Sequence, residues 1–123
     1  MPGVLKPHHL CKDGLDKIIK LKIQIMETFN EVISSDKLVL VDFFATWCQP
    51  CKMMHPILEQ LKQALGDSIR IIKIDVDKQD ITAGQYKIQS VPTLMLFRNG
   101  QSLWRQSGAV SLAELRNIIN GYL

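Results

Sequence analysis

The chain has 123 residues, 46% hydrophobic and 22% charged, the balance of one compact globular domain with its own core. Fifteen Lys and Arg against 12 Asp and Glu give a net charge of +3. The cations are scattered among the acids rather than gathered in a stripe, so no nucleic-acid partner is expected. No apolar run reaches the roughly 20 residues that span a bilayer, so no membrane partner is expected either.

Residues 1–14 (MPGVLKPHHLCKDG) read as an irregular tail, broken by Pro2, Gly3, Pro7 and Gly14. The tail lacks the apolar segment of a signal peptide, and Cys11 lacks the run that precedes a lipid-attachment cysteine, so a cytoplasmic address is expected. In that compartment thiols stay reduced, and close cysteine pairs bind metal or do redox chemistry. The expected domain spans residues 15–123. From Lys17, apolar and polar residues alternate: Ile19, Leu21, Ile23 and Ile25 share one face, and Lys20, Lys22 and Gln24 the other. That period predicts a first, half-buried strand. Thr28 and Glu31 form a capping box, and Phe29, Val32 and Ile33 give the short helix after it an inward face.

Leu38 to Ala45 (LVLVDFFA) is apolar almost throughout, as a strand covered on both sides requires, and only Asp42 interrupts it. After TWCQPC, Met54, Ile57, Leu58, Leu61 and Leu65 make a helical stripe closed by Gly66, with a kink expected at Pro56. Ile69 to Val76 is an isoleucine-rich strand, parallel to the earlier one through a right-handed crossover. A short helix is expected over 79–87. Thr93 to Phe97 and Gln101 to Gln106 flank Asn99-Gly100, a strong hairpin signal. Ser111 and Glu114 form another capping box, and Leu115, Ile118, Ile119 and Tyr122 line the last helix. The order βαβαβαββα predicts a three-layer α/β/α sandwich around a mixed, five-stranded sheet.

Cys48-Gln49-Pro50-Cys51 lies where a buried strand ends and a helix begins. A helix start presents unpaired N–H groups and partial positive charge, so a thiolate there is stabilised and becomes nucleophilic near neutral pH. The i, i+3 spacing brings the sulfurs within disulfide reach, and Pro50 in the first turn loses no hydrogen bond. Cys48, at the tip, is the expected nucleophile; Cys51, one turn inside, the resolving thiol. A structural zinc site would need two more ligands, and His8, His9, Cys11 and His55 offer no second close pair.

FFATWCQPCKMMHPIL then resembles the thioredoxin family. Trp47, Cys48, Pro50, Cys51 and Lys52 match its Trp-Cys-Gly-Pro-Cys-Lys signature. Similar too are Asp42 in VDF, Lys73 in KIDVD, Val91-Pro92-Thr93, Gly108-Ala109 and the opening DKIIKL, which is like the family's first strand. The resemblance implies the thioredoxin fold and a protein-disulfide reductase active in electron transport and cell redox homeostasis. It implies a monomer that binds no cofactor and is recharged by thioredoxin reductase, so that NADPH and FAD act only through that partner. Ribonucleotide reductase, peroxiredoxin and methionine sulfoxide reductase are the clients it implies. By the same resemblance Asp42 is a buried carboxylate behind Cys51 that helps move its proton, Lys73 modulates Asp42, and Pro92 is cis and faces the disulfide. Trp47, Pro50, Val91, Pro92, Gly108 and Ala109 would form the substrate surface.

The residues alone leave other readings open. Asp42 is expensive to bury and should have a raised pKa, yet could serve only to fix the core. Lys73 reads equally as a strand lysine reaching for solvent, Pro92 as a trans turn proline, and Trp47 as a core aromatic. His55 reads as a surface helix residue with a possible tuning role, and Cys11 as a free tail thiol. Gln49 replaces the family's usual glycine, Phe44 a second tryptophan and Ser90 a glycine before Val91. An oxidase or isomerase, or a binding subunit with incidental thiols, remain the alternative functions.

Overall fold

The structure, a computed structural model, describes residues 13–123, with side chains from Lys17 onward. Its elements are α1 (Asp13–Ile33), β1 (Leu38–Phe44), α2 (Gln49–Leu65), a 3-10 turn at Gly66–Ser68, β2 (Ile69–Asp75), α3 (Asp80–Gln85), β3 (Thr93–Arg98), β4 (Gln101–Ser107) and α4 (Leu112–Asn120). The sheet runs β2-β1-β3-β4. β1 and β2 are parallel, as the crossover through α2 requires, and β3 is antiparallel to both β1 and β4.

Alternation along β1 divides the core in two. Leu38 and Leu40 pack with Met54, Leu58 and Leu61 of α2 and Leu115 and Ile119 of α4. Val39, Val41 and Phe43 pack the other way, with Phe29 and Ile33 of α1 and Tyr86 after α3. Helices thus cover both faces of β1, and each fully buried Leu or Phe contributes roughly 1.5–3 kcal/mol. The result is the α/β/α sandwich with the mixed sheet that the element order predicts.

The first strand is the exception. Residues 17–25 belong to α1, so the sheet has four strands among the described residues rather than five. Between Leu15 and Ile33 the chain has neither Gly nor Pro, and Leu, Lys, Gln, Met and Glu all favour helix. The inward face of α1 steps by three and four through Lys22, Ile25, Phe29 and Ile33, so the helical period overrides the nine-residue alternation, and Thr28 lies inside the helix rather than at its start. Ile19, Leu21 and Ile23 are left exposed, and a groove of about 460 Å³ remains between α1 and β2.

The other local signals hold. α2 continues through Pro56 and stops at Gly66, whose φ of 55° suits glycine. The hairpin turns at Asn99 and Gly100 with φ of 53° and 78°, the positive pair that a tight two-residue turn needs. Ser111 Oγ accepts the Glu114 N–H at 3.2 Å, capping α4.

Candidate active site

The parallel strands β1 and β2 finish side by side, Phe44 opposite Asp75, and the chain leaves β1 through Ala45, Thr46 and Trp47 into α2. Cys48 is the N-cap of α2. Its backbone is extended (φ −89°, ψ 114°) and its Sγ accepts the Cys51 N–H at 3.2 Å. The sulfur therefore takes a donor that the first helical turn leaves without a carbonyl. A thiolate in its place gains that hydrogen bond and the positive end of the helix dipole. Pro50 lies exposed in the first turn, where its missing N–H has no consequence.

Cys48 and Cys51 are joined by a disulfide, their Cα atoms 5.3 Å apart. Cys51 is wholly buried and Cys48 is 5% exposed. Cys48 is thus less open than a position at the helix tip suggests, because Phe44, Ala45, Val76 and Val91 pack around the pair. The order of access is unchanged: only Cys48 reaches the surface. Trp47 beside it is 69% exposed, and its Nε1–H donates to Asp77 Oδ2 at 2.9 Å, which pins the ring over the β2–α3 connection. Asp77 escaped the sequence reading, since nothing local ties it to a tryptophan 30 residues away.

Val91-Pro92 is a cis peptide. The Val91 carbonyl oxygen lies 3.6 Å from Cys48 Sγ. The buried Pro92 accepts the Gly108 N–H at 2.8 Å, which draws the exposed Gly108-Ala109 turn to the same edge. Gly108 has φ of 95° with open space where a Cβ would stand, so the backbone conformation, not crowding, favours glycine there. Trp47, Val76, Ile88, Gln89, Ser90 and Val91 line a hollow of about 130 Å³ beside Cys48.

Asp42 is fully buried, and neither carboxylate oxygen has a hydrogen-bond partner among the described residues. Alternation places it on the α2 side of β1, with Leu38 and Leu40. Burial pushes its pKa up to about 6, with Lys73 pulling the other way. Lys73 stands opposite it in the β1–β2 register, and its Nζ lies 3.1 Å from His55 Nδ1 on α2. No cluster of three or more His, Cys, Asp or Glu with metal-binding geometry occurs among the described residues; His8, His9 and Cys11 lie outside them.

The thioredoxin family model matches residues 20–121. The chain belongs to the thioredoxin family. A thioredoxin-like protein of Synechocystis sp. is 52% identical over 88 residues, covering 71% of this chain and 84% of its own length. The thioredoxin of Bacillus subtilis is 42% identical over 90 residues, 73% of this chain and 86% of its own. Thioredoxin Y of Oryza sativa subsp. japonica, a chloroplastic protein, is 42% identical over 98 residues, 79% of this chain and 58% of its own. A solved Plasmodium falciparum thioredoxin superposes with a TM-score of 0.70 at 36% identity, over 77% of this chain and 91% of that one. Thioredoxins are protein-disulfide reductases that work without a bound cofactor, and this chain is a thiol–disulfide oxidoreductase of that family.

Proposed function

We propose that the domain over residues 15–123 reduces disulfides in client proteins through Cys48 and Cys51 and is recharged by thioredoxin reductase. The observation that carries this reading is the Cys48 sulfur at the N-cap of α2, hydrogen-bonded to the Cys51 N–H. In the reduced protein Cys48 is the thiolate. It attacks one sulfur of the client disulfide; a Cys48–client bond forms, the client's S–S bond breaks, and the released thiolate takes a proton from water. The Cys51 thiol then passes its proton to the Asp42 carboxylate and attacks Cys48 Sγ. The mixed disulfide breaks, the second client thiolate leaves, and two electrons have moved to the client. The reductase returns them, drawing on NADPH through its FAD.

Asp42 suits the proton step because a buried carboxylate with no partner among the described residues and a pKa of about 6 exchanges its proton near neutral pH. Lys73 moderates it. Trp47, Pro50, Val91, Pro92, Gly108 and Ala109 frame the client, whose extended backbone can pair with the half-buried backbone at Val91. Ribonucleotide reductase, peroxiredoxin and methionine sulfoxide reductase fit as clients, and a monomer acting in the reducing cytoplasm fits the chemistry.

The test couples NADPH oxidation to a thioredoxin reductase and insulin. The expected outcome is steady turnover that disappears in Cys48→Ser, while Cys51→Ser accumulates covalent client adducts released by dithiothreitol. A fully reduced, folded protein that yields no turnover would end the proposal. Partner binding and biological effect that survive Cys48→Ser would instead mark a binding subunit with incidental thiols.

A further inference from the structure

Lys73 has two neighbours. Across the parallel pair it stands opposite Asp42, whose proton affinity its charge lowers. On the other side its Nζ meets His55 Nδ1 at 3.1 Å. An ammonium has donors only, so this contact requires Nδ1 to be the bare nitrogen of a neutral ring. The surroundings favour that state. His55 is half-buried with the Phe44 ring edge-on at 5.6 Å, and burial, then Lys73, holds its pKa below the ordinary histidine value.

Other charges stand near His55 and Lys73. Lys52 and Glu59 lie on α2 itself, three residues before and four after. Arg70 on β2 lines a hollow of about 210 Å³ with Glu59, Lys62 and Lys73. β1 contributes Asp42. α4 shares an apolar cluster with α2, and its Glu114 and Arg116 are exposed.

We propose that His55 is a positioning residue: its neutral ring anchors the Lys73 ammonium between α2 and β2, where that charge acts on Asp42, and so sets how readily Asp42 takes the Cys51 proton. The histidine touches neither sulfur nor client and works through the lysine. Lys73 is exposed, and a lysine side chain with four rotatable bonds swings freely in water unless an acceptor holds it. The imidazole offsets the entropy of holding it. Protonating the ring removes the acceptor and sets two cations side by side, which releases Lys73. The proposal rests on the reading of Asp42 given above.

The experiment follows the Asp42 carboxyl by 13C NMR titration in the oxidised protein, where neither Cys48 nor Cys51 titrates. His55→Ala keeps a good helix former on α2. His55→Asn supplies a side-chain oxygen near the position of Nδ1 and cannot titrate. His55→Ala should raise the Asp42 midpoint by about half a pH unit, roughly threefold in proton affinity. His55→Asn should stay at the wild-type midpoint. Lys73→Met should raise it further, and adding His55→Ala to Lys73→Met should change nothing more. An unmoved or lowered midpoint in His55→Ala, an equal shift in His55→Asn, or full additivity with Lys73→Met would overturn the proposal. The titration needs no client or reductase, so its failure leaves the insulin assay intact, and an inactive protein would still report on Asp42.

Discussion

Two buried aspartates stand on neighbouring strands, Asp75 at the end of β2 and Asp42 within β1, in different surroundings. Asp75, at the end of β2, is 8% exposed. Its Oδ1 accepts the N–H groups of Asp77 at 2.9 Å and Lys78 at 3.4 Å, an Asx-type turn that holds the β2–α3 connection and with it the Asp77 that grips Trp47. Asp42, on β1, is fully buried and its oxygens find no partner among the described residues. The first carboxylate builds a turn. The second costs free energy to keep, which makes it the candidate for proton chemistry. The contrast separates architecture from chemistry within a few residues of one sheet.

The largest expected break in that comparison is in stability against pH. The folded-state pKa of Asp42, about 6, lies above the ordinary 3.8, so the folded protein holds this proton more tightly than the unfolded chain. The contribution is present in full below about pH 4, declines as pH rises towards 6 and is absent above it, a fall of about 3 kcal/mol. Urea denaturation of the oxidised protein from pH 4 to 7 reads this slope, and Asp42→Asn should flatten it. Next in size is the proton step. Asp42→Asn should slow resolution of a preformed mixed disulfide by about a hundredfold at pH 7, read by stopped-flow release of a chromophoric thiol, while the initial attack by Cys48 changes far less. Smallest is the architectural partner. Asp75→Ala should lower stability by about 1–2 kcal/mol through two lost hydrogen bonds, with only a modest loss of insulin reduction. A pH slope that persists unchanged in Asp42→Asn would reverse the assignment.

Much of this arrangement is legible in the residues. LVLVDFFA names a strand buried on both faces, and a lone aspartate inside it stands out because burial of a charge needs a reason. Asn99-Gly100 specifies its turn because both positions take positive φ. The Cys48–Cys51 pair is legible from its place between strand and helix. The segment 17–25 departs from its strand period: isoleucines alternating with lysines satisfy that period, yet the same residues also continue a helix without a break, and no Gly or Pro separates the two outcomes. The cross-links stay hidden for a different reason. Lys73 meets His55 across 18 residues and Trp47 meets Asp77 across 30, and local periodicity carries no information about such pairings. Cys11 lies outside the described residues.

The proposed reductase chemistry needs the N-terminus of α2 to make Cys48 a thiolate. Ultraviolet absorbance of the reduced Cys51→Ser variant, titrated from pH 5 to 10 and paired with the pH dependence of alkylation by iodoacetamide, reads that sulfur. The two curves should share one midpoint clearly below the ordinary thiol value of about 8.5. A midpoint at or above that value would contradict the account.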